Sequence, residues 1–344
     1  VPEPRAATFE LVDRSGRLAG VRLQQEIGLA GPLDFVRTRG VWRLTVQLPD
    51  VDRMEYLFEV RAATGAQMTI PDPANPRRAA GAFGEKSVLE LDGYAPPGWL
   101  AAVPVASEQA SVEVAAPDLD GTVEVTVWAP AELIGPAPLL VVHDGPEYAH
   151  LAALTQYLGA AIAARAIPPV RAALVAPGER NGWYSANPAY ARVLCEQVLP
   201  ALAAVAPTEV RIGIGASLGG LAMLHAHVNH PDRFDGLLLQ SGSFFTPELD
   251  PQEAEFSGFA AVTEFVAGMH DARDDPRPVP TVLTCGAVEE NLANNVAMAT
   301  ALHRLGYRAP LVRVRDAHNY TAWRDALDPA LTELISDVVC ARAA

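Results

Sequence analysis

The sequence predicts an α/β protein in which a mainly parallel central sheet, covered by helices on both faces, is preceded by a small all-β sandwich. Three observations carry this expectation. The 344 residues amount to about two domains. The first hundred or so alternate apolar and polar residues with period two. Beyond them, continuous apolar runs alternate with helical patterns. The expected division is an N-terminal domain over 1–104 and a C-terminal domain over 105–344.

In the N-terminal part, Trp42, Leu44, Val46 and Leu48 alternate with polar residues, as do Tyr56, Phe58 and Val60 with their neighbours. Turn residues close each run at Pro49-Asp50 and Thr64-Gly65, as half-buried antiparallel strands require. Asp72-Pro73-Ala74-Asn75-Pro76 reads as a rigid loop, because each proline fixes φ and restricts the residue before it. Pro96-Pro97-Gly98-Trp99 reads as the exit from this part. A hairpin follows, Val112–Val114 against Val123–Val127 around Asp118-Leu119-Asp120-Gly121. The run Leu139-Leu140-Val141-Val142 has the character of a strand buried on both faces. Expected next are a helix from about His150 to Arg165, strand Ala172–Val175, a helix from Pro188 to Val205 and strand Val210–Ile214. Helix Leu218–Val228, strand Gly236–Leu239, strand Thr281–Cys285, helix Leu292–Leu305, strand Leu311–Arg315 and a terminal helix complete the alternation. His270–Pro280 reads as an exposed loop.

Composition narrows the function. With 26 Lys+Arg against 41 Asp+Glu the formal charge is −15, which opposes any general attraction to nucleic acid or to an anionic membrane surface. No apolar window reaches the length of a membrane span, and Val1-Pro2-Glu3-Pro4-Arg5 offers no secretory pattern, so a cytoplasmic location is expected. Cys195, Cys285 and Cys340 are odd in number and lack metal-ligand spacing, which fits free thiols in a reducing compartment. No cofactor is implied, and oligomeric state is not legible.

The sharpest chemical signal is Gly215-Ala216-Ser217-Leu218-Gly219, a G-x-S-x-G sequence directly after a predicted strand and opening a predicted helix. There a serine occupies a strained turn that presents its hydroxyl, and the Leu218 N–H is a candidate oxyanion donor at the helix N-terminus. Such a serine needs a base. His318, three residues beyond the last strand, stands where one is expected, whereas His303 lies within a helix. His225, His227 and His230 do not share a helix face in the way a metal site would need. The acid should come from the loop after Thr281–Cys285, where Glu289 is favoured and Glu290 is held in reserve. Asp316 is expected to point elsewhere. A second oxyanion donor should come from the loop His143-Asp144-Gly145-Pro146-Glu147; Pro146 has no N–H, which leaves Gly145 or Glu147. His143 itself reads as a structural residue at a strand end.

With these residues in place the chain resembles the enterochelin esterase family of α/β-hydrolases. The likeness is carried by the Asp72–Pro76 loop, His143-Asp144-Gly145, Arg180 and Asn187, Gly215–Gly220, Gln240-Ser241-Gly242-Ser243 and Ala317-His318-Asn319-Tyr320-Thr321-Ala322-Trp323-Arg324. It implies an immunoglobulin-like N-terminal sandwich, Ser217 as nucleophile, His318 as base, and hydrolysis of the serine esters of catecholate siderophores. Where the family commonly shows an arginine followed three residues later by Glu-Leu, this chain has Arg180-Asn181-Gly182-Trp183-Tyr184. Arg180 and Arg324 are candidate cations facing a substrate, and Trp183, Tyr184 and Tyr320 a candidate stacking wall. The expected function is a serine esterase acting on a small-molecule ester through an acyl-enzyme. The other readings are an acyltransferase with the same triad and a catalytically weak binding protein of the same fold.

Overall fold

In a computed structural model, which describes residues 5–274 and 277–343, the chain divides into two compact units. One consists of the chain up to Ala95 together with Gly286–Glu290 and Val314–Ala322; the other takes in Pro96–Cys285, Asn291–Arg313 and the segment from Trp323.

The first unit is all-β at its N-terminus. Its strands are β1 (Arg5–Val12), β2 (Leu18–Gln25), β3 (Val36–Thr38), β4 (Val41–Leu48), β5 (Arg53–Ala62), β6 (Gln67–Ile70), β7 (Arg78–Ala79) and β8 (Lys86–Glu90). They form two antiparallel sheets, β1-β4-β3 and β2-β5-β8-β7, with β6 pairing to β5. The period-two pattern explains the packing. In β4, Trp42, Leu44, Val46 and Leu48 are buried while Arg43, Thr45 and Gln47 are exposed. Their apolar faces meet Phe9 and Leu11 of β1, Val21 and Leu23 of β2 and Phe58 of β5 in one core, which is the arrangement of a sandwich. Phe58 stacks edge-on against Phe35 with ring centroids 5.1 Å apart.

The second unit, apart from the last residue of β15 and of β16, holds β9 (Ser107–Ala116), β10 (Gly121–Pro130), β11 (Leu139–Val142), β12 (Arg171–Val175), β13 (Arg211–Ala216), β14 (Gly236–Gln240), β15 (Thr281–Gly286) and β16 (Leu311–Val314) in one mixed sheet, ordered β16-β15-β14-β13-β11-β12-β10-β9. The β12-β11-β13-β14-β15 ladders are parallel, and the β9–β10 hairpin adds antiparallel to β12. Every residue of β11, β12 and β14 is buried, as continuous apolar strands covered on both faces must be. The covering helices are α1 (Gly145–His150), α2 (Leu154–Ala163), α3 (Arg180–Tyr184), α4 (Pro188–Val193), α5 (Leu199–Leu202), α6 (Leu218–Asn229), α7 (Phe259–Asp271), α8 (Leu292–Arg304), α9 (Tyr320–Asp325) and α10 (Leu327–Ala343). No helix among the described residues is long and apolar enough to cross a membrane.

Three elements depart from the sequence reading. The helix expected from His150 to Arg165 is the shorter α2, which starts after Ala153 at φ 48°, and α1 precedes it where a loop was expected. The helix expected over Pro188–Val205 widens into a π turn at Leu194–Val198. Pro200 stands two residues beyond its end; it has no N–H to return to the carbonyl of Glu196 four residues back, and its ring crowds that carbonyl, so the ladder widens there. The expected loop over His270–Pro280 begins later, since α7 runs through Asp271, and its residues Asp275 and Pro276 lie outside the described residues.

Candidate active site

The elbow between β13 and α6 is built by small residues. A Cβ on Gly215 would stand 2.3 Å from the Gly219 carbonyl oxygen, and one on Gly213 would stand 2.4 Å from the Met223 sulfur. Only glycine lets strand and helix approach this closely. Ser217 between them holds φ 55° and ψ −127°, a conformation that costs a non-glycine residue strain. It is fixed from several sides. The Ser217 N–H donates to the Gln240 carbonyl at 2.9 Å, and its own carbonyl accepts from the N–H groups of Gly220 and Ser243, each at 3.1 Å. The Ser217 Oγ lies 3.1 Å from the Ser243 hydroxyl. Nothing in the sequence marks Ser243 beyond its place in Gln240-Ser241-Gly242-Ser243 after a strand. Leu218 opens α6, so its N–H belongs to the first turn, where no intrahelical acceptor exists.

The loop carrying Ser243 is held rigidly. Asn295 of α8 accepts from the Gly242 N–H at 3.0 Å and donates to the Gly242 carbonyl at 2.8 Å. Trp323 Nε1–H donates to Ser241 Oγ at 3.0 Å, and Gln240 is bound by Tyr148 and Thr284.

On the other side of the elbow, His143 and Asp144 follow β11. His143 is wholly buried, and its ring stacks on Tyr184 with centroids 4.6 Å apart. Its Nδ1 lies 2.8 Å from the Gly219 carbonyl oxygen, which can only accept, so Nδ1 carries the proton and the histidine braces the elbow. Its Nε2 has no hydrogen-bond partner among the described residues, and burial pushes its pKa down to about 4. Asp144 takes φ 50° and receives Arg180 through two bonds of 2.8 and 2.9 Å. The proposed substrate cation Arg180 is therefore engaged by a carboxylate and lies over the Tyr184 ring. Gly145 opens α1 and is buried; a Cβ there would stand 2.3 Å from the Leu174 backbone. Pro146 is exposed and Glu147 half-buried in the same turn. Trp183 and Tyr184, expected to line a wall, are instead packed in the core with 6% and 0% exposure. The aromatic bulk that suggested stacking serves packing, with Trp183 lying against Tyr190 at 5.8 Å. Arg324 pairs with Asp325 at 2.7 Å. The α6 histidines are used internally: His225 packs edge-on against Phe265, and His227 Nε2 lies 3.0 Å from the Tyr307 hydroxyl.

The first unit holds the other chemistry. Glu289 follows β15, and its side chain is fully buried; Oε1 accepts from the Gly286 N–H at 2.7 Å. Its Oε2 accepts from His318 Nδ1 at 2.9 Å. Glu290 is exposed. With Nδ1–H donated to the carboxylate, the ring holds the tautomer in which Nε2 is the basic nitrogen. The histidine itself is one-third exposed, as a group meeting a substrate must be. Asp316 and Asn319 flank it, and both bind Arg53 of β5; Tyr320 next along is half-buried. Burial pushes the Asp316 and Glu55 carboxyls upward, against the lowering effect of Arg53 between them.

Residues 117–334 match the Esterase family model, whose description reads "Putative esterase". The chain is 30% identical over 203 residues to an iron(III) enterobactin esterase of Dickeya dadantii, an alignment covering 55% of this chain and 46% of that protein. It is 26% identical over 300 residues to the iron(III) enterobactin esterase of Escherichia coli O6:H1, covering 83% and 72%. The fold matches a crystal structure of ferric enterobactin esterase from Salmonella typhimurium with a TM-score of 0.76 at 21% identity, over 97% of this chain and 94% of that one. The family match spans more than half of the chain and takes in the elbow and both loops: the protein belongs to the esterase family, with the α/β-hydrolase fold, and is a hydrolase acting on ester bonds.

Proposed function

We propose that the protein is a serine esterase in which Ser217 is the nucleophile, His318 the base and Glu289 the acid, working through an acyl-enzyme. The observation that carries this reading is the bond from His318 Nδ1–H to the buried Glu289 carboxylate, the histidine–carboxylate pair that a serine nucleophile requires. The strained elbow of Ser217 supports it. So does topology, since Ser217, Glu289 and His318 each follow the carboxyl end of a strand in one sheet, where open α/β sheets bind ligands.

In this mechanism His318 Nε2 takes the Ser217 proton as Oγ attacks the ester carbonyl. Glu289 stabilises the imidazolium that forms. The Leu218 N–H, with a second donor from Gly145 or Glu147, holds the oxyanion near the positive end of α6. Collapse expels the alcohol, which takes its proton from His318. Water, activated by the same histidine, then attacks the acyl-enzyme, and the acid leaves with Ser217 restored.

The relatives named above are iron(III) enterobactin esterases, which makes serine-ester siderophores the first substrate class to assay. Location in the cytoplasm and action on a free small molecule belong to the same proposal. The test is turnover of p-nitrophenyl butyrate by the full chain. Ser217→Ala and His318→Ala should each lose at least about 1,000-fold in kcat. Wild-type turnover by either variant would overturn the assignment.

A further inference from the structure

We propose that Arg53, on strand β5 of the N-terminal sandwich, is a positioning residue for His318, so that the sandwich forms part of the catalytic apparatus. This rests on the esterase reading above. Arg53 is 2% exposed, and its guanidinium reaches a residue on each side of the base, Asp316 two positions before it and Asn319 directly after. Nη1 donates to Asp316 at 2.8 Å and to Asn319 at 3.1 Å, while Nη2 donates to Glu55 at 2.8 Å. The loop is then knitted around these anchors. Asp316 Oδ1 accepts from the Ala317 N–H at 2.7 Å and from Asn319 Nδ2 at 3.0 Å, and Asn319 Oδ1 also accepts from the Ala322 N–H at 2.9 Å. His318 lies between two residues tied to one side chain.

Packing supports the same role. Ala317 is buried in the sandwich core with Phe58 and Leu48, and Val288, beside Glu289, packs against that core as well. Both loops that carry the histidine–carboxylate pair are therefore seated on the sandwich. The charges close without a bound ion: Arg53 stands between Asp316 and Glu55, and Lys86 Nζ lies 4.0 Å from Glu55. A buried ionic cluster is a poor source of stability, since well-packed apolar residues of similar volume often do as well. What a planar guanidinium does supply is a fork that fixes several acceptors in one geometry, which a lysine ammonium cannot reproduce.

The test pairs kinetics with a spectroscopic readout on the full chain. Arg53→Met combined with Glu55→Gln should lower kcat for p-nitrophenyl butyrate roughly 10- to 100-fold, with KM within about twofold, because a base displaced by a fraction of an ångström slows chemistry more than binding. Arg53→Lys should recover part of the loss. In a His318→Ala background the same substitutions should cost nothing further. If the double variant fails to fold, Asp316→Asn is added to remove the remaining buried charge. The imidazole of His318, observed by NMR with 15N-labelled histidine, should show its hydrogen-bonded Nδ1 proton sharp in the wild type and broadened or shifted in the folded variant. An undisturbed resonance overturns the proposal whatever the turnover, as does unchanged kcat in a folded variant when His318→Ala is inactive. Wild-type activity in His318→Ala would instead sink the triad, and the resonance alone would then decide whether Arg53 positions this loop.

Discussion

Acidification should weaken the fold through His143. The perturbation is protonation of an imidazole that is wholly buried, donates through Nδ1 to Gly219, and has an Nε2 without a partner among the described residues. A second proton would sit on Nε2 with no acceptor, which is why burial holds the folded pKa at about 4 against 6.5 for an ordinary histidine. The sign follows from proton binding. Between these two values the unfolded chain holds more protons than the folded one, so stability is full above about pH 6.5 and is lost as pH falls towards 4. The gap, at about 1.4 kcal/mol per pH unit, comes to about 3 kcal/mol in all, of which about 2 kcal/mol is gone by pH 5. The assay is urea unfolding at pH 7.5 and 5.0 for the wild type and for His143→Gln, whose side chain does not titrate. His225, also held at about 4 by burial, contributes to both proteins and cancels in the comparison. The wild type should lose about 2 kcal/mol more than the variant over this interval. Equal losses would refute the neutral, Nδ1-protonated assignment.

Two further outcomes follow from the elbow and its neighbouring loop. Gly215→Ala places a methyl 2.3 Å from the Gly219 carbonyl oxygen, against backbone that has no rotamer to change; a loss of about 3 kcal/mol or failure to express is expected, and wild-type thermal stability would contradict the packing described. Asn295→Ala strands the buried N–H and carbonyl of Gly242, with an expected loss of about 3 kcal/mol in chemical denaturation; a change below about 0.5 kcal/mol would show that the loop is held by other means.

What the sequence made legible is what short-range covalent pattern controls. Period two placed β4 and β5, continuous apolar runs placed β11 and β14, and the elbow followed from two glycines around a serine, because at Gly215 the close approach of strand and helix leaves no room for a side chain. Less visible were features decided by tertiary packing. Trp183 and Tyr184 have the composition of a binding wall, yet their rings lie in the core, since aromatic residues suit both places equally well. Arg180 offered a free cation in sequence and meets Asp144 only once β11 and α3 come together. Most remote is Arg53, whose partner Asp316 lies 263 positions along the chain; nothing in local pattern connects a charge in a sandwich strand to the loop around His318. Asp316 points away from the base, as its sequence position suggests, and toward Arg53, a partner that the sequence does not reveal.

The most direct test of the central claim is covalent labelling of the intact protein with a fluorophosphonate, read by mass spectrometry of the modified peptide. The account predicts a single adduct on Ser217, formed rapidly in the wild type and slowed at least about 100-fold in His318→Ala. Labelling at another serine, or the same rate without His318, would contradict it.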